Sequence, residues 1–247
     1  MISKNQLKHI RALGQKKQRK ALGEFLVQGE KNVIELLKSD LTIKQLFATT
    51  EFIQTNSAML TNLDVIESDI ESLTKVSTLV SNNSVIAIVV TPQLTMPPNK
   101  GLTLALDGVS DPGNLGTIIR VADWYGITHI VCSNDCADPF NPKTISSTMG
   151  SFARVNVYLT DLPEYLNNDS RVIYGAYLGG ENVHKVSFKH DAILMMGSES
   201  HGIRETAGQY VNAPITIPNF GQAESLNVAM ATGIILDNFK RQAYPFA

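Results

Sequence analysis

The chain has 247 residues, a formal net charge of −2, 43% hydrophobic and 18% charged residues, a composition that suits a globular protein large enough to build its own core. No apolar run approaches the roughly 20 residues that span a bilayer. The opening stretch, MISKNQLKHIRALGQKKQRK, is polar and basic rather than a signal sequence, so a cytoplasmic location is expected. Charge is unevenly placed: residues 1–20 hold seven of the 21 basic residues and none of the 23 acidic ones. Lys16, Lys17, Arg19 and Lys20 make this segment a candidate phosphate-contacting arm; a solvated, partly disordered tail is the other reading.

FLVQG (25–29) predicts a strand, KNVIELLKS (31–39) a helix and IKQLFAT (43–49) a strand. A helix near 51–60, a short strand at 63–66 and a helix around 68–75 follow, and SVIAIVVTP (84–92) is a β-branched run typical of a buried strand. TPQLTMPPNKG (91–101), with three prolines and a glycine, reads as a linker. It divides a small α/β module, residues 1–95, from a second domain, 96–247. There LTLALD (102–107) predicts a buried strand, a glycine-rich loop and a helix through IIRVADWYG follow, then a strand at ITHIVCS (127–133) and a helix at NPKTISSTMG (141–150). RVIYGAY (171–177) and AILMMG (192–197) read as buried strands, and ITIPN (215–219) precedes a long helix at about 225–242. This alternation predicts a largely parallel sheet covered on both faces, with ligands beyond the carboxyl ends of its strands. Cys132 and Cys136, in CSNDC, are too few for a tetrahedral zinc site and lack a nearby His pair; they read as reduced structural thiols, and no metal is expected.

Three loops stand out. In DGVSDPGNLGTIIR (107–120), Gly108, Gly113 and Gly116 lie between a strand and a helix, where free N–H groups can hold an anion. The spacing matches neither the dinucleotide fingerprint nor a P-loop. Asn114 could serve as an N-cap, and Arg120 either makes a surface ion pair or aims at a phosphate or hydroxyl. In MMGSESHGIR (195–204), Glu199 sits in a small-residue turn and His201 has no nucleophile partner. In IPNFGQAESLNVAMATG (217–233), Ser225 is placed to cap the following helix, Gly221 suits a tight turn, and Asn227 in the first turn is less easily explained.

Together and in this order the loops resemble the three motifs of the SpoU (TrmH) family of RNA ribose methyltransferases. Asn114, Gly116 and Arg120 match N-x-G-x-x-x-R. Gly197, Glu199 and Gly202 match G-x-E-x-x-G. Ile217, Pro218, Gly221, Ser225, Leu226, Asn227 and Val228 match I-P-x-x-G-x-x-x-S-L-N-V. The resemblance spans about 101–243, and QKKQRKALGEFLVQGEKNVIEL (16–37) is similar to the N-terminal RNA-binding domain of ribosomal-RNA members.

The resemblance implies an α/β-knot domain with a largely parallel sheet and a deep trefoil knot at about 192–240, preceded by a small α/β RNA-binding domain. It implies a homodimer, with the active site near the dimer interface. S-adenosylmethionine is the implied cofactor, bound by Met196, Gly197, Ile217, Pro218, Gly221 and Leu226. The implied reaction is methylation of a ribose 2′-hydroxyl of structured RNA, in the first instance 23S ribosomal RNA. Arg120 would contact the hydroxyl and a phosphate, while Asn114, Glu199, Ser225 and Asn227 shape the site. A transfer-RNA methyltransferase, a nicotinamide dehydrogenase and a non-catalytic ribosome-assembly protein are the competing readings.

Overall fold

The computed structural model describes residues 2–78 and 84–243. In chain order the first part carries α1 (Lys4–Ala12), α2 (Lys16–Leu22), β1 (Glu24–Gln28), α3 (Glu30–Leu37), β2 (Ile43–Ala48), α4 (Thr50–Thr55), β3 (Val65–Glu67), α5 (Ile70–Val76) and β4 (Val85–Val90). After residues 91–101 come β5 (Leu102–Asp107), α6 (Pro112–Trp124), β6 (His129–Ser133), α7 (Pro142–Thr148), β7 (Asn156–Thr160) and α8 (Leu162–Asn167). Then follow β8 (Val172–Asn182), β9 (Ala192–Gly197), α9 (Glu205–Gly208), β10 (Ala213–Thr216) and α10 (Val228–Ala243). Two compact units result: Met1–Gln93 with Asp138–Ala153, and Leu94–Ala137 with Arg154–Ala247.

The first unit is built on a four-stranded mixed sheet of order β1-β4-β2-β3, with β4 antiparallel to β1 and β2 and β3 parallel to β2. The basic segment at its start is helical. Ser3 and Gln6 close a capping box on α1, and α1 with the residue after it delivers Ile10 and Leu13, both fully buried, to the core. In α2, Arg19 points inward. Its Nε and Nη2 donate to Asp138 at 3.2 and 2.5 Å, and its Nη1 donates to the carbonyls of Leu13 and Gly14, both at 2.9 Å. Lys16, Lys17 and Lys20 remain exposed. Asp138 belongs to the segment that carries α7, which joins this unit by packing Phe140 and Phe152 against Phe25.

The second unit is a six-stranded sheet of order β10-β8-β9-β5-β6-β7, every neighbouring pair parallel. Side chains alternate between the faces of a strand, which is why its central strands read as continuous apolar runs. On β5, Leu104 and Leu106 enter the core beneath α6 and α10, while Ala105 joins the opposite core with Leu162, Ile203 and Ala207. On β9, Ala192, Leu194 and Met196 take the first side, and Ile193 and Met195 the second. Each buried leucine, isoleucine or methionine among them contributes roughly 1.5–3 kcal/mol. The strands predicted at 102–107 and 192–197 coincide with β5 and β9. β8 outruns its predicted end because β10 pairs along its second half, opposite Glu181 and Asn182. No described helix is long and apolar enough to cross a membrane.

Candidate active site and cofactor cleft

The three loops leave the carboxyl ends of β5, β9 and β10. Asp111 caps α6 by accepting from Asn114 N at 2.8 Å, with Pro112 in the first turn. Asn114 is thus not the cap, and its side chain is left for tertiary contacts. Its Nδ2 donates to Glu199 Oε1, and its Oδ1 accepts from Asn227 Nδ2 at 2.9 Å. Asn227 Oδ1 in turn accepts from the amides of Ala229 and Met230 at 3.0 and 3.3 Å. The cap expected of Ser225 therefore falls to Asn227, because α10 starts at Val228. One hydrogen-bonded chain joins all three motifs. Arg120 stands apart from it: the side chain is exposed and makes no hydrogen bond or ion pair among the described residues.

Glu199 lines a cleft of about 840 Å³ bounded by the middle of β8 and the ends of β9 and β10. Met196, Gly197, Ile217, Pro218 and Leu226 line it as well, as does Ser225; Gly221 lies in the adjoining turn and outside the lining. At Gly197 a Cβ would fall on the backbone of Gly202 and Ile203, so only glycine lets the 198–202 turn fold back over the strand end. The walls are Ile215, Val228 and Ile235 together with loop backbone. Among the described residues no lysine or arginine lines the cleft, whereas Glu199 and Glu224 both do. Apolar walls, loop backbone and two carboxylates suit an uncharged purine nucleoside bearing a cationic sulfonium, and the volume lies within the usual range for cofactor sites. The glycine-rich loop 108–116, where a dinucleotide would seat its pyrophosphate, is not among the lining residues, which counts against the nicotinamide reading.

Under the loops lies an ionic cluster that the sequence did not reveal. Asp107, at the end of β5, is 2% exposed and takes hydrogen bonds from Arg204 N at 2.8 Å, from Nε at 2.9 Å and from Nη2. Arg204 also reaches Asp135, with Nη1 to Oδ2 at 2.7 Å and Nη2 to Oδ1 at 3.1 Å. The Ser133 hydroxyl, donating to Asp135 at 2.6 Å, and then the Arg204 guanidinium hold the Asp135 carboxyl below its usual range. The one available signal was an aspartate closing an apolar strand. Its partner, 97 residues away, has no local signature. Cys132 and Cys136 are free and buried. A hydrogen bond from Cys132 draws Cys136 down to about 7, and that bond with burial pushes Cys132 up.

Residues 101–237 match the SpoU rRNA Methylase family, and residues 4–87 match the MRM3-like substrate binding domain. The chain is 30% identical over 239 residues to the 23S rRNA (guanosine(2553)-2′-O)-methyltransferase RlmP of Bacillus subtilis, covering 95% of this chain and 96% of that protein. A TrmH-family structure from Porphyromonas gingivalis superposes with a TM-score of 0.86 at 34% identity, covering 98% of this chain and 99% of the other. An AdoMet-bound rRNA methyltransferase from Sinorhizobium meliloti does so with a TM-score of 0.87 at 28% identity, covering 100% and 98%. The chain belongs to the SpoU rRNA methylase family.

Proposed function

We propose that this protein transfers a methyl group from S-adenosylmethionine to a ribose 2′-hydroxyl of 23S ribosomal RNA, in the cytoplasm and as a homodimer. The observation that carries the reading is the junction of Asn114 and Asn227 with Glu199, a residue that itself lines the cleft. Full-length likeness to ribosomal-RNA enzymes supports ribosomal over transfer RNA.

Met196, Gly197, Ile217, Pro218 and Leu226 hold the cofactor, with Gly221 shaping the loop beside them. The bound cofactor supplies an electrophilic methyl with a neutral thioether as leaving group. The protein's part is alignment of the hydroxyl in a water-poor site. Arg120 polarises the 2′-hydroxyl and clamps the adjoining phosphate; a guanidinium only donates hydrogen bonds, so the hydroxyl proton leaves to a phosphate oxygen of the RNA. Asn114, Glu199 and Asn227 fix the loops, and Ser225 orders the third loop around the ribose. In this reading a second protomer supplies its Arg120 to each site; the exposed Arg120 side chain, outside the cleft lining of its own chain, supports this. Trp124 and Met230, 85% and 63% exposed on α6 and α10, support that contact between copies. The trefoil knot expected at 192–240 is part of this reading, and it is supported by β9 inside the sheet, β10 beyond β8 and α10 packed on α6. Residues 1–95 form the RNA-binding domain and 96–247 the methyltransferase domain, with Lys16, Lys17 and Lys20 on phosphates and Arg19 holding the helix that presents them.

Arg120→Ala is expected to abolish turnover and leave cofactor affinity, measured by calorimetry, nearly unchanged. Loss of both together would contradict the role given to Arg120. Mixing Arg120→Ala with Glu199→Ala protomers should restore activity that neither variant has alone. Failure to complement would place Arg120 in the site of its own chain.

A further inference from the structure

We propose that Arg204, gripped by Asp107 and Asp135, is a positioning residue that fixes the loop leading into Asn114, in the first turn of α6, against the loop carrying Glu199. This inference rests on the methyltransferase reading above and adds to it a residue that touches neither cofactor nor RNA.

Both oxygens of the Asp107 carboxylate are occupied by Arg204, one by its backbone N–H at 2.8 Å and the other by its guanidinium. The outer edge of the guanidinium takes Asp135 in a two-bond fork, the strongest geometry available to such a pair. From Asp135 the network continues into the turn that sequence reading marked only as CSNDC. Ser133 Oγ donates to Asp135 at 2.6 Å and accepts from Gly108 N at 2.9 Å. Ala137 N donates to Val109 O at 2.9 Å, and Cys136 Sγ lies 3.4 Å from Leu106 O. Gly108 adopts φ +71°, and a Cβ there would already meet Ser198 and the Arg204 guanidinium at 3.8 and 3.9 Å. The exits of β5, β6 and β9 are therefore one body, with Asn114 leaving from one side and Glu199 from the other.

The two meet through a hydrogen bond, whose strength falls off within a few tenths of an ångström. A displacement of about 1 Å in a site of this kind can cost on the order of 100-fold in rate. Asp135 is well suited to a test because its side chain is 57% exposed, and exposed ion pairs contribute little to global stability.

The experiment makes Asp135→Ala and Arg204→Lys, each alone and with Asn114→Ala. It follows kcat and KM on ribosomal RNA, the melting temperature, and amide exchange of residues 107–116 in the protein alone. Asp135→Ala is expected to lower kcat about tenfold or more, to speed exchange in 107–116, and to move the melting temperature by only about 1–2 °C. Added to Asn114→Ala, it should cost less than about twofold more, since its effect passes through Asn114. Arg204→Lys keeps the charge but cannot bridge both carboxylates; it should lower kcat and speed exchange as Asp135→Ala does, with a larger fall in melting temperature because buried Asp107 loses guanidinium bonds. Additive losses, unchanged exchange in 107–116, or activity falling only in step with melting temperature would overturn the proposal. If the unaltered chain transfers no methyl to ribosomal RNA, the methyltransferase reading fails instead, and the exchange measurement still decides whether Arg204 holds the loops.

Discussion

Asn114 connects three parts of the second unit: its amide closes the cap of α6, its carboxamide N–H reaches Glu199, and its carbonyl takes Asn227. Asn227 is equally committed, since its Oδ1 caps α10 while its Nδ2 reaches Asn114. Asn227→Ala should then cost about 1 kcal/mol of stability through the lost cap, and more in activity than that stability loss explains; thermal melts and kcat on the same preparation check it. Gly197→Ala should abolish cofactor binding, because its Cβ has no room beside Gly202 and Ile203; tight binding retained by calorimetry would contradict this. Asp135 makes a small acid-sensitive contribution to stability, small because its side chain is 57% exposed. Its folded carboxyl titrates below its unfolded one, so its stabilisation is present above about pH 4 and lost as pH falls further. Wild-type stability should drop faster than that of Asp135→Asn between about pH 4 and pH 3. Motif spacing marked Asn114, Glu199 and Asn227 individually. Their hydrogen-bonded junction was not legible, because the partners lie 85 and 113 residues apart.

Among the elements, α2 separates structural from contacting cations. Arg19 is buried against Asp138, with both side chains at most 12% exposed. Removing one partner of a buried pair costs about 3–5 kcal/mol, so Arg19→Ala should lower the melting temperature sharply. Exchanging Lys16, Lys17 and Lys20 for alanine should leave that temperature alone and flatten the salt dependence of RNA binding. Charge counting put all four in one class, since a sequence shows a cation but not which way it faces. The strongly patterned elements were legible. β5 and β9 carry apolar residues on both faces, and that is visible as a run. The short β7, α8 and α9 were missed, because four to six residues give periodicity too little length. β8 was read short since its second half, LGGEN, is a strand only through pairing with β10.

For the whole molecule, the division into units follows contacts that no local signal encodes: residues 138–153 lie within the later half of the chain but join the first unit, through Arg19–Asp138 and the Phe25 cluster. The cleft carries two carboxylates and, among the described residues, no lysine or arginine in its lining, a balance that suits a cationic sulfonium. Analytical ultracentrifugation should give a dimer, and Trp124→Glu with Met230→Glu should shift it toward monomer with loss of activity. The most direct measurement is methyl transfer from labelled S-adenosylmethionine to unmodified ribosomal RNA, followed by digestion to nucleosides. Label is expected in a 2′-O-methylnucleoside of 23S rRNA, absent with Arg120→Ala. Label on a base, or no transfer to any RNA by a protein that binds the cofactor, would contradict this expectation.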